Sequence, residues 1–194
     1  AKEHIFRTLW NEFLTGDRRK IFDNALEKLD LTHRKNTSDL IAELVRTYRQ
    51  HTPHIKLPSD SRNLLDKLHS DYKLGLLTDG YMPAQRLKVR ALGIENYFNT
   101  IVYTELLGRE HWKPARTGFE KLIKDLKTRP ERMTYIADNE KKDFIAPNEL
   151  GFVTIKDNRK NRIHTATSEN PLARPAHQVD SLDRIPALLS QLSH

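Results

Sequence analysis

Three short stretches of the sequence place polar groups where an anion and a metal ion could bind. Each stretch follows an apolar run or lies between two apolar segments, and together they contain Thr78, Asp79, Gly80, Lys113, Asp138 and Asp143. A hydroxyl and backbone N–H groups at a glycine-containing turn can hold phosphate oxygens, and a lysine can neutralise their charge. Carboxylates are suitable ligands for Mg²⁺. We therefore predict a phosphate site at Thr78, Asp79, Gly80 and Lys113, with Asp138 and Asp143 as metal ligands.

Each stretch also has a purely structural interpretation. Asp and Gly favour turns, so Thr78 to Gly80 could simply join a strand to a helix. Asp138 could cap the helix that follows, Asp143 could lie solvated near its start, and Lys113 could be an exposed lysine before a proline. The order and spacing of the three stretches favour the functional interpretation, because ligands of open parallel sheets bind where the carboxyl ends of the strands meet.

The spacing of apolar residues predicts two units joined by a linker. Residues 1–50 have apolar positions at intervals of three and four, as in helices, and show no alternation typical of a strand. The stretch "HTPHIKLPSD" then brings two prolines within six residues, which indicates a linker. Beyond it, helical segments alternate with apolar strands, which predicts a parallel sheet with right-handed crossovers. We predict a helical unit over residues 1–52 and an α/β core over residues 53–194.

The core segments can be placed approximately. The sequence predicts helices at 59–70, 83–92, 116–127, 141–150 and 183–192 and strands at 73–78, 100–104, 133–138 and 151–155, with a last extended stretch at 177–182. Residues 156–175 are predicted to form a polar loop without regular structure. The candidate site residues then follow three successive strands of one sheet.

Composition limits the possible classes of protein. The 194 residues are 37% apolar and 30% charged, and no apolar run approaches the roughly 18 to 20 residues of a membrane span. The absence of cysteine excludes disulfides and thiolate metal sites, which fits a reducing compartment. The first residues lack the apolar core of a signal peptide. We expect a soluble, cytoplasmic protein.

The net charge of +7 is unevenly distributed, since residues 109–132 contain eight Lys or Arg against four Asp or Glu. This basic stretch could bind nucleic acid, attract a small anionic substrate, or form a solvated helix face. No aromatic platform or known nucleic-acid motif accompanies it, which disfavours a nucleic-acid partner.

The motifs resemble those of a known family. The stretches "LGLLTDG", "WKPARTGFEKLIKDL" and "YIADNEKKDFIAPNELGF" are similar to the second, third and fourth motifs of the haloacid dehalogenase-like (HAD) hydrolases, in the phosphatase branch with a helical cap. The resemblance covers about residues 48–155 and implies an α/β, doubly wound parallel sheet of Rossmann-like type with an α-helical cap. It also implies that Thr78 binds the transferred phosphoryl group and that Lys113 offsets its charge, while Asp138 and Asp143 hold Mg²⁺. Ala137 replaces a glycine that is common in the family.

The first motif of the family, an Asp-x-Asp at the end of an N-terminal strand, does not occur in this sequence. Asp23 has helix-spaced apolar neighbours, and Asp180 and Asp183 are three positions apart. The resemblance implies that the first strand lies in the middle of the sheet, so its neighbours would otherwise have unpaired backbone groups that cost roughly 1 to 3 kcal/mol each. We expect a segment outside this sequence, or another chain, to complete the sheet.

Two functions follow from this resemblance. The first is an Mg²⁺-dependent phosphatase that acts on a small phosphorylated metabolite through an aspartyl-phosphate intermediate, in which Arg46 and Arg49 of the helical unit contact the substrate. This sequence alone would then be inactive. The alternative is a non-catalytic HAD-like fragment or pseudoenzyme that binds a phosphorylated ligand or a protein partner. Neither interpretation involves a membrane.

Overall fold

The computed structural model describes residues 2–17, 19–32, 36–160 and 162–192. The chain forms two compact units, Ala1–His51 and Thr52–His194. The division falls at the start of the linker that contains the two prolines, one residue before the boundary predicted from the sequence. Within the described ranges, no helix has the length and apolar character needed to cross a membrane.

The first unit consists of three helices, α1 (Lys2–Thr15), α2 (Ile21–Lys28) and α3 (Thr37–Gln50). Helix α2 packs against both of the others and buries Ala25 and Leu26. On α1, Glu12 is buried, and its carboxylate accepts hydrogen bonds from Lys28 Nζ at 2.5 Å and Asn24 Nδ2 at 3.1 Å. Burial of this charge is tolerated because both of its oxygens have donors on α2.

The second unit alternates helices and strands as the sequence predicts. Its helices are α4 (Ser59–Leu68), α5 (Ala84–Leu92), α6 (Thr117–Leu126), α7 (Ile145–Leu150) and α8 (Ile185–Leu192). Its strands are β1 (Gly75–Thr78), β2 (Thr100–Tyr103), β3 (Thr134–Ala137), β4 (Val153–Asp157) and β5 (His177–Val179). Short 3₁₀ turns connect several of these elements.

Helices cover both faces of the strands. One apolar cluster contains Leu68 of α4 and Ile185 and Leu189 of α8, and Ile136 of β3 packs against it. A second cluster contains Phe119 of α6, and Tyr135 of β3 packs against that one. Because adjacent residues of a strand point to opposite faces, the two clusters lie on opposite sides of β3. The arrangement is therefore doubly wound.

The strands form two parallel sheets. Strand β1 pairs with β2, with Gly75 opposite Thr100, and β4 pairs with β3 on one side and β5 on the other. Strands β1 and β3 therefore each have one edge without a strand partner in the described structure. A cavity of about 850 Å³ is lined by the beginnings of both strands and by apolar side chains of α4, α6 and α8. The additional central strand that the resemblance implies stays a prediction.

Several strand boundaries differ from the prediction by one to three residues, and two of these differences have a clear physical reason. Strand β1 begins at Gly75 rather than Lys73, because Leu74 bonds to Asn99, the residue just before β2: its N–H donates to the Asn99 side chain and its C=O accepts from the Asn99 backbone N–H. Strand β4 continues two residues beyond Ile155. The additional residues, Lys156 and Asp157, are charged but buried, and each has an oppositely charged partner. Their pairing explains why charged residues extend this strand.

The aromatic core of the second unit gives a stability prediction. Phe119 is fully buried, with its ring centroid 4.9 Å from that of Tyr135 and 6.1 Å from that of Phe152. We expect Phe119→Ala to reduce the free energy of unfolding by about 3 to 5 kcal/mol, because it removes apolar contacts and leaves a cavity. Urea unfolding followed by circular dichroism measures this change. The control Leu172→Ala, at an exposed position, should change stability by about 0.5 kcal/mol or less. Equal losses in both variants would contradict this account of the core.

Candidate active site

The turn after β1 contains a hydroxyl and a backbone conformation that favours glycine. Gly80 has φ of 135°, a conformation that side-chain-bearing residues rarely adopt, and a Cβ there would lie 2.8 Å from Gln85 Cδ. Gln85, near the start of α5, donates from Nε2 to Thr78 Oγ1 at 2.9 Å and also to the carbonyl of Asp79. The Thr78 oxygen thus accepts a bond, while its O–H has no acceptor in the described part of the chain. This O–H is available to donate to an anion.

Asp79 connects the loops around the turn. Its carboxylate is 5% exposed, and Oδ1 accepts hydrogen bonds from the Thr104 hydroxyl at 3.0 Å and the Lys113 backbone N–H at 3.2 Å. Its other oxygen, Oδ2, lies 2.8 Å from Lys142 Nζ. The side chain therefore bonds to protein groups from three other segments. The Asp79 carboxylate is therefore occupied by protein donors. The backbone N–H of Asp79 is the group that could still contact an anion, as the prediction requires.

Lys113 is not the exposed lysine of the structural interpretation. Its Nζ lies 2.8 Å from Asp143 Oδ1 and donates to the Tyr135 hydroxyl at 3.2 Å, and its side chain is 11% exposed. Burial would lower the pKa of this ammonium, but Tyr135, Asp143 and Asp79 outweigh burial and raise its pKa above the ordinary value. Burial raises the pKa of Tyr135 to about 12. At neutral pH the pair is thus a cation next to a neutral hydroxyl.

The two predicted metal ligands follow β3. Burial raises the pKa of the Asp138 carboxyl, and the nearby charge of Asp143 raises it further. Asp143 is buried, and its Oδ2 accepts a bond from the Asn139 backbone N–H at 3.1 Å. Neither residue caps α7, which begins at Ile145 after Phe144. The capping and solvated interpretations of these two aspartates are therefore wrong.

A divalent cation would fit this pair of carboxylates. Oδ1 of Asp143 has no hydrogen-bond donor in the described structure, since its contact with Lys113 Nζ is a close ion pair without the angle of a hydrogen bond. Two adjacent, largely buried carboxylates repel each other, and a hard cation would relieve this repulsion. No cluster of three or more acidic, histidine or cysteine side chains gathers within the described ranges. Asp138 and Asp143 could therefore supply part of a coordination shell.

Sequence reasoning missed several residues that support the site: Gln85, Thr104, Tyr135 and Lys142. Thr104 follows β2 directly, so the rule that polar residues after parallel strands meet at one edge could have identified it. Tyr135 lies inside an apolar strand and resembles a core residue. Lys142 is one of two consecutive lysines, and the sequence contains no signal that this one reaches Asp79.

The remaining predicted residues lie elsewhere. Arg46 and Arg49 are on α3 of the helical unit, where Arg46 is exposed, and their contact with a substrate stays a prediction. In the basic stretch, two ion pairs have i,i+4 spacing along α6 and its first turn, namely Arg116 with Glu120 and Lys121 with Asp125. Such pairs are typical of a solvated helix face.

Comparison with protein families identifies the class. The profile of the haloacid dehalogenase-like hydrolases matches residues 8–156, which is more than half of the chain. This protein therefore belongs to the haloacid dehalogenase-like hydrolases. The family and fold class predicted from the three motifs are confirmed.

Curated relatives include two kinds of phosphatase. The glyceraldehyde 3-phosphate phosphatase of Methanopyrus kandleri is 34% identical over 88 residues, which are 45% of this chain and 37% of the relative. The N-acylneuraminate-9-phosphatase of Mus musculus is 29% identical over 140 residues, which are 72% of this chain and 54% of the relative. The chain thus matches about two fifths to half of the length of these relatives.

Solved structures show the same fold. The HAD-hydrolase YfnB from Bacillus subtilis, bound to magnesium, superposes with a TM-score of 0.67 at 18% identity, covering 96% of this chain and 80% of that chain. The L-2-haloacid dehalogenase from Xanthobacter autotrophicus superposes with a TM-score of 0.63 at 15% identity, covering 98% and 84%. These similarities support the fold.

The central position of Asp79 predicts a large effect of its substitution. Asp79→Asn keeps the shape of the side chain but replaces one acceptor oxygen by a donor and removes the charge that pairs with Lys142. We expect a loss of about 2 to 4 kcal/mol in the free energy of unfolding, because buried donors lose their acceptor. Urea unfolding measures the loss. Glu120→Gln is the control, since its pair with Arg116 is exposed and should contribute little. Similar stabilities of the two variants would show that Asp79 does not hold the loops together.

Proposed function

We propose that this chain belongs to an Mg²⁺-dependent phosphatase that hydrolyses a small phosphorylated metabolite through an aspartyl-phosphate intermediate. One observation carries the proposal: groups from three different strand ends are joined in one continuous set of contacts. The turn of Thr78 leads to Asp79, the Asp79 carboxylate binds the Lys113 backbone, and Lys113 Nζ contacts Asp143. Relatives that act as phosphatases on glyceraldehyde 3-phosphate and N-acylneuraminate 9-phosphate support a substrate of this class.

The residues of the turn and Lys113 would bind the phosphoryl group. The Thr78 O–H and the backbone N–H groups next to Gly80 can donate to its oxygens, and the Lys113 ammonium can offset its negative charge. These groups are fixed before substrate binds, since Gln85 holds the Thr78 oxygen and Asp79 holds the Lys113 backbone. Preorganised donors of this kind stabilise charge that develops in the transition state.

Asp138 and Asp143 would hold the metal ion. When bound, Mg²⁺ would supply positive charge that offsets the charge on the phosphoryl oxygens. The Lys113 ammonium contacts Asp143, so it also reduces the repulsion between the two carboxylates. Because Asp143 additionally accepts a bond from the Asn139 backbone, its orientation is fixed by the protein.

The nucleophile would come from an extended segment outside this sequence. The cavity of about 850 Å³ at the beginnings of β1 and β3 is lined in part by apolar side chains of α4, α6 and α8, and both strands have an edge without a strand partner in the described structure. A strand of about five residues placed there would complete the sheet. Its first aspartate would attack phosphorus and expel the alcohol, the second aspartate would protonate the departing oxygen, and water would then cleave the acyl phosphate to release inorganic phosphate.

The helical unit, residues 1–51, would act as the cap that selects the substrate, with Arg46 and Arg49 as candidates for contact. Closure of a cap excludes water from the reacting group. The alternative function, a non-catalytic fragment that binds a phosphorylated ligand or a protein partner, would use the same phosphate-binding groups without turnover.

Phosphatase activity tests the proposal in a polypeptide that includes the additional strand. With Mg²⁺ and p-nitrophenyl phosphate, we expect Thr78→Ala, Lys113→Ala and Asp138→Asn each to lower kcat by roughly 100-fold or more, because each removes a group that stabilises charge. Lys121→Ala is the control, since this lysine pairs with Asp125 on the surface of α6.

This chain of 194 residues, without the additional strand, should show no turnover in the same assay. Near-normal rates in all three variants would refute the assignment of the site. Absence of activity from the longer polypeptide, combined with retained phosphate binding, would favour the non-catalytic alternative.

Metal binding can be tested separately from turnover. We expect 10 mM Mg²⁺, a concentration on the order of that needed for a weak carboxylate site, to raise the unfolding temperature of this chain, because ligands that bind the folded state stabilise it. Differential scanning fluorimetry measures the shift, and chelation should reverse it. Asp143→Asn should abolish the shift, whereas Asp125→Asn should retain it, since Asp125 pairs with Lys121 away from the site. An undiminished shift in Asp143→Asn would exclude this residue as a ligand.

A further inference from the structure

A second, polar cavity lies at the carboxyl end of β4. Its volume is about 550 Å³, and it is lined by residues of β4 and of the segment between β4 and β5. The lining residues that matter here are Glu140, Lys156, Arg162, Ser168, Arg174 and Gln178. Three of these side chains are cations and one is a carboxylate, so the lining carries an excess of positive charge.

Lys156 is a buried cation with unused donors. Its Nζ donates to Glu140 Oε2 at 2.5 Å, and the two side chains are only 5% and 8% exposed. Glu140 uses its other oxygen to accept from the Ser168 backbone N–H at 3.2 Å. An ammonium has three N–H donors, and Glu140 is the one acceptor of Lys156 in the described ranges. Two donors of a nearly inaccessible ammonium are therefore available at the cavity.

Two arginines add positive charge to the cavity, one held by hydrogen bonds and one without such bonds. Arg162 is held in place by bonds from Nη1 and Nε to the backbone carbonyls of Asn158, Arg159 and His164. Arg174 is exposed, and its guanidinium makes no hydrogen bond or ion pair within the part of the chain that the structure describes. Its charge nevertheless acts on Glu140: burial would raise the pKa of Glu140, but Lys156, Ser168 and Arg174 together lower it.

The cavity is adjacent to the candidate active site. Lys156 is the register partner of Ala137, the residue immediately before Asp138. Glu140 itself lies in the loop between Asp138 and Asp143. Neighbouring strands lie about 5 Å apart, so the backbone of Lys156 is one strand spacing from that of the residue before Asp138.

We propose that this cavity binds an oxyanion, a carboxylate or phosphate group on the part of the substrate that is not transferred. Lys156 would supply fixed, buried donors, and Arg174 would close on the anion as a bidentate partner. The identification of the ligand as part of a substrate rests on the proposed phosphatase function. The presence of an oxyanion site does not depend on it, because the charges and donors are in place without any catalysis.

Binding of simple anions to this chain tests the proposal. Inorganic phosphate and acetate are titrated separately, against sodium chloride at equal ionic strength, while backbone amides are followed by ¹⁵N NMR. We expect saturable shifts at Ser168 and Arg174 with at least one of the two anions. Arg174→Gln should weaken this binding roughly tenfold, because one charge-assisted pair is lost. Glu140→Gln should strengthen it, since the carboxylate that competes for Lys156 is removed.

The matched control is Arg90→Gln, which removes an exposed arginine at the end of α5 and should leave the affinity unchanged. Shifts that do not saturate, or equal affinities of the Arg174 and Arg90 variants, would overturn the proposal. Saturation by acetate alone assigns the cavity to a carboxylate, and saturation by phosphate assigns it to a phosphate group. The amides of Thr78, Gly80 and Lys113 report separately on the proposed phosphoryl site, so failure of one site is distinguishable from failure of the other.

Discussion

The arrangement of the candidate site depends on one buried carboxylate. Asp79 accepts from the Thr104 hydroxyl, the Lys113 backbone and the Lys142 ammonium, which belong to three segments that are distant in sequence. A buried anion requires donors on all sides, and these donors are supplied by the loops that carry the functional groups. The need to solvate this single charge with protein groups therefore determines where Lys113 and the loop after β3 can lie.

Carboxylates and ammonium groups alternate in the site, so that groups of opposite charge are neighbours. Asp79 and Asp143 lie on either side of Lys113, and these carboxylates keep the ammonium protonated despite its burial. Asp138 is less fully compensated, and burial raises its pKa. Uncompensated charge at functional positions is common in enzymes, because groups that must bind a ligand cannot be satisfied by the protein alone.

Much of this architecture could be predicted from the sequence, for reasons that individual elements make clear. The positions of Thr78 and Asp138 at neighbouring strand ends were predictable because parallel strands bring their carboxyl ends together, a rule that needs no coordinates, whereas the roles of Thr78, Lys113 and Asp138 stay predictions. Strand β4 was predicted too short because Lys156 and Asp157 are charged, and only the fold reveals that Glu140 and Arg159 compensate them. The role of Asp79 as an acceptor for several loops was missed for the same reason, since its donors become neighbours only after folding.

The edges of β1 and β3 that lack a strand partner in the described structure affect how this chain can interact with other polypeptides. Strand edges are usually templates for aggregation, because any extended chain can hydrogen-bond to them. Here the beginnings of both strands line one cavity, together with Leu122, Leu126 and Leu189. An extended backbone bound in this cavity would pair with both edges at once and would remove them as templates for aggregation.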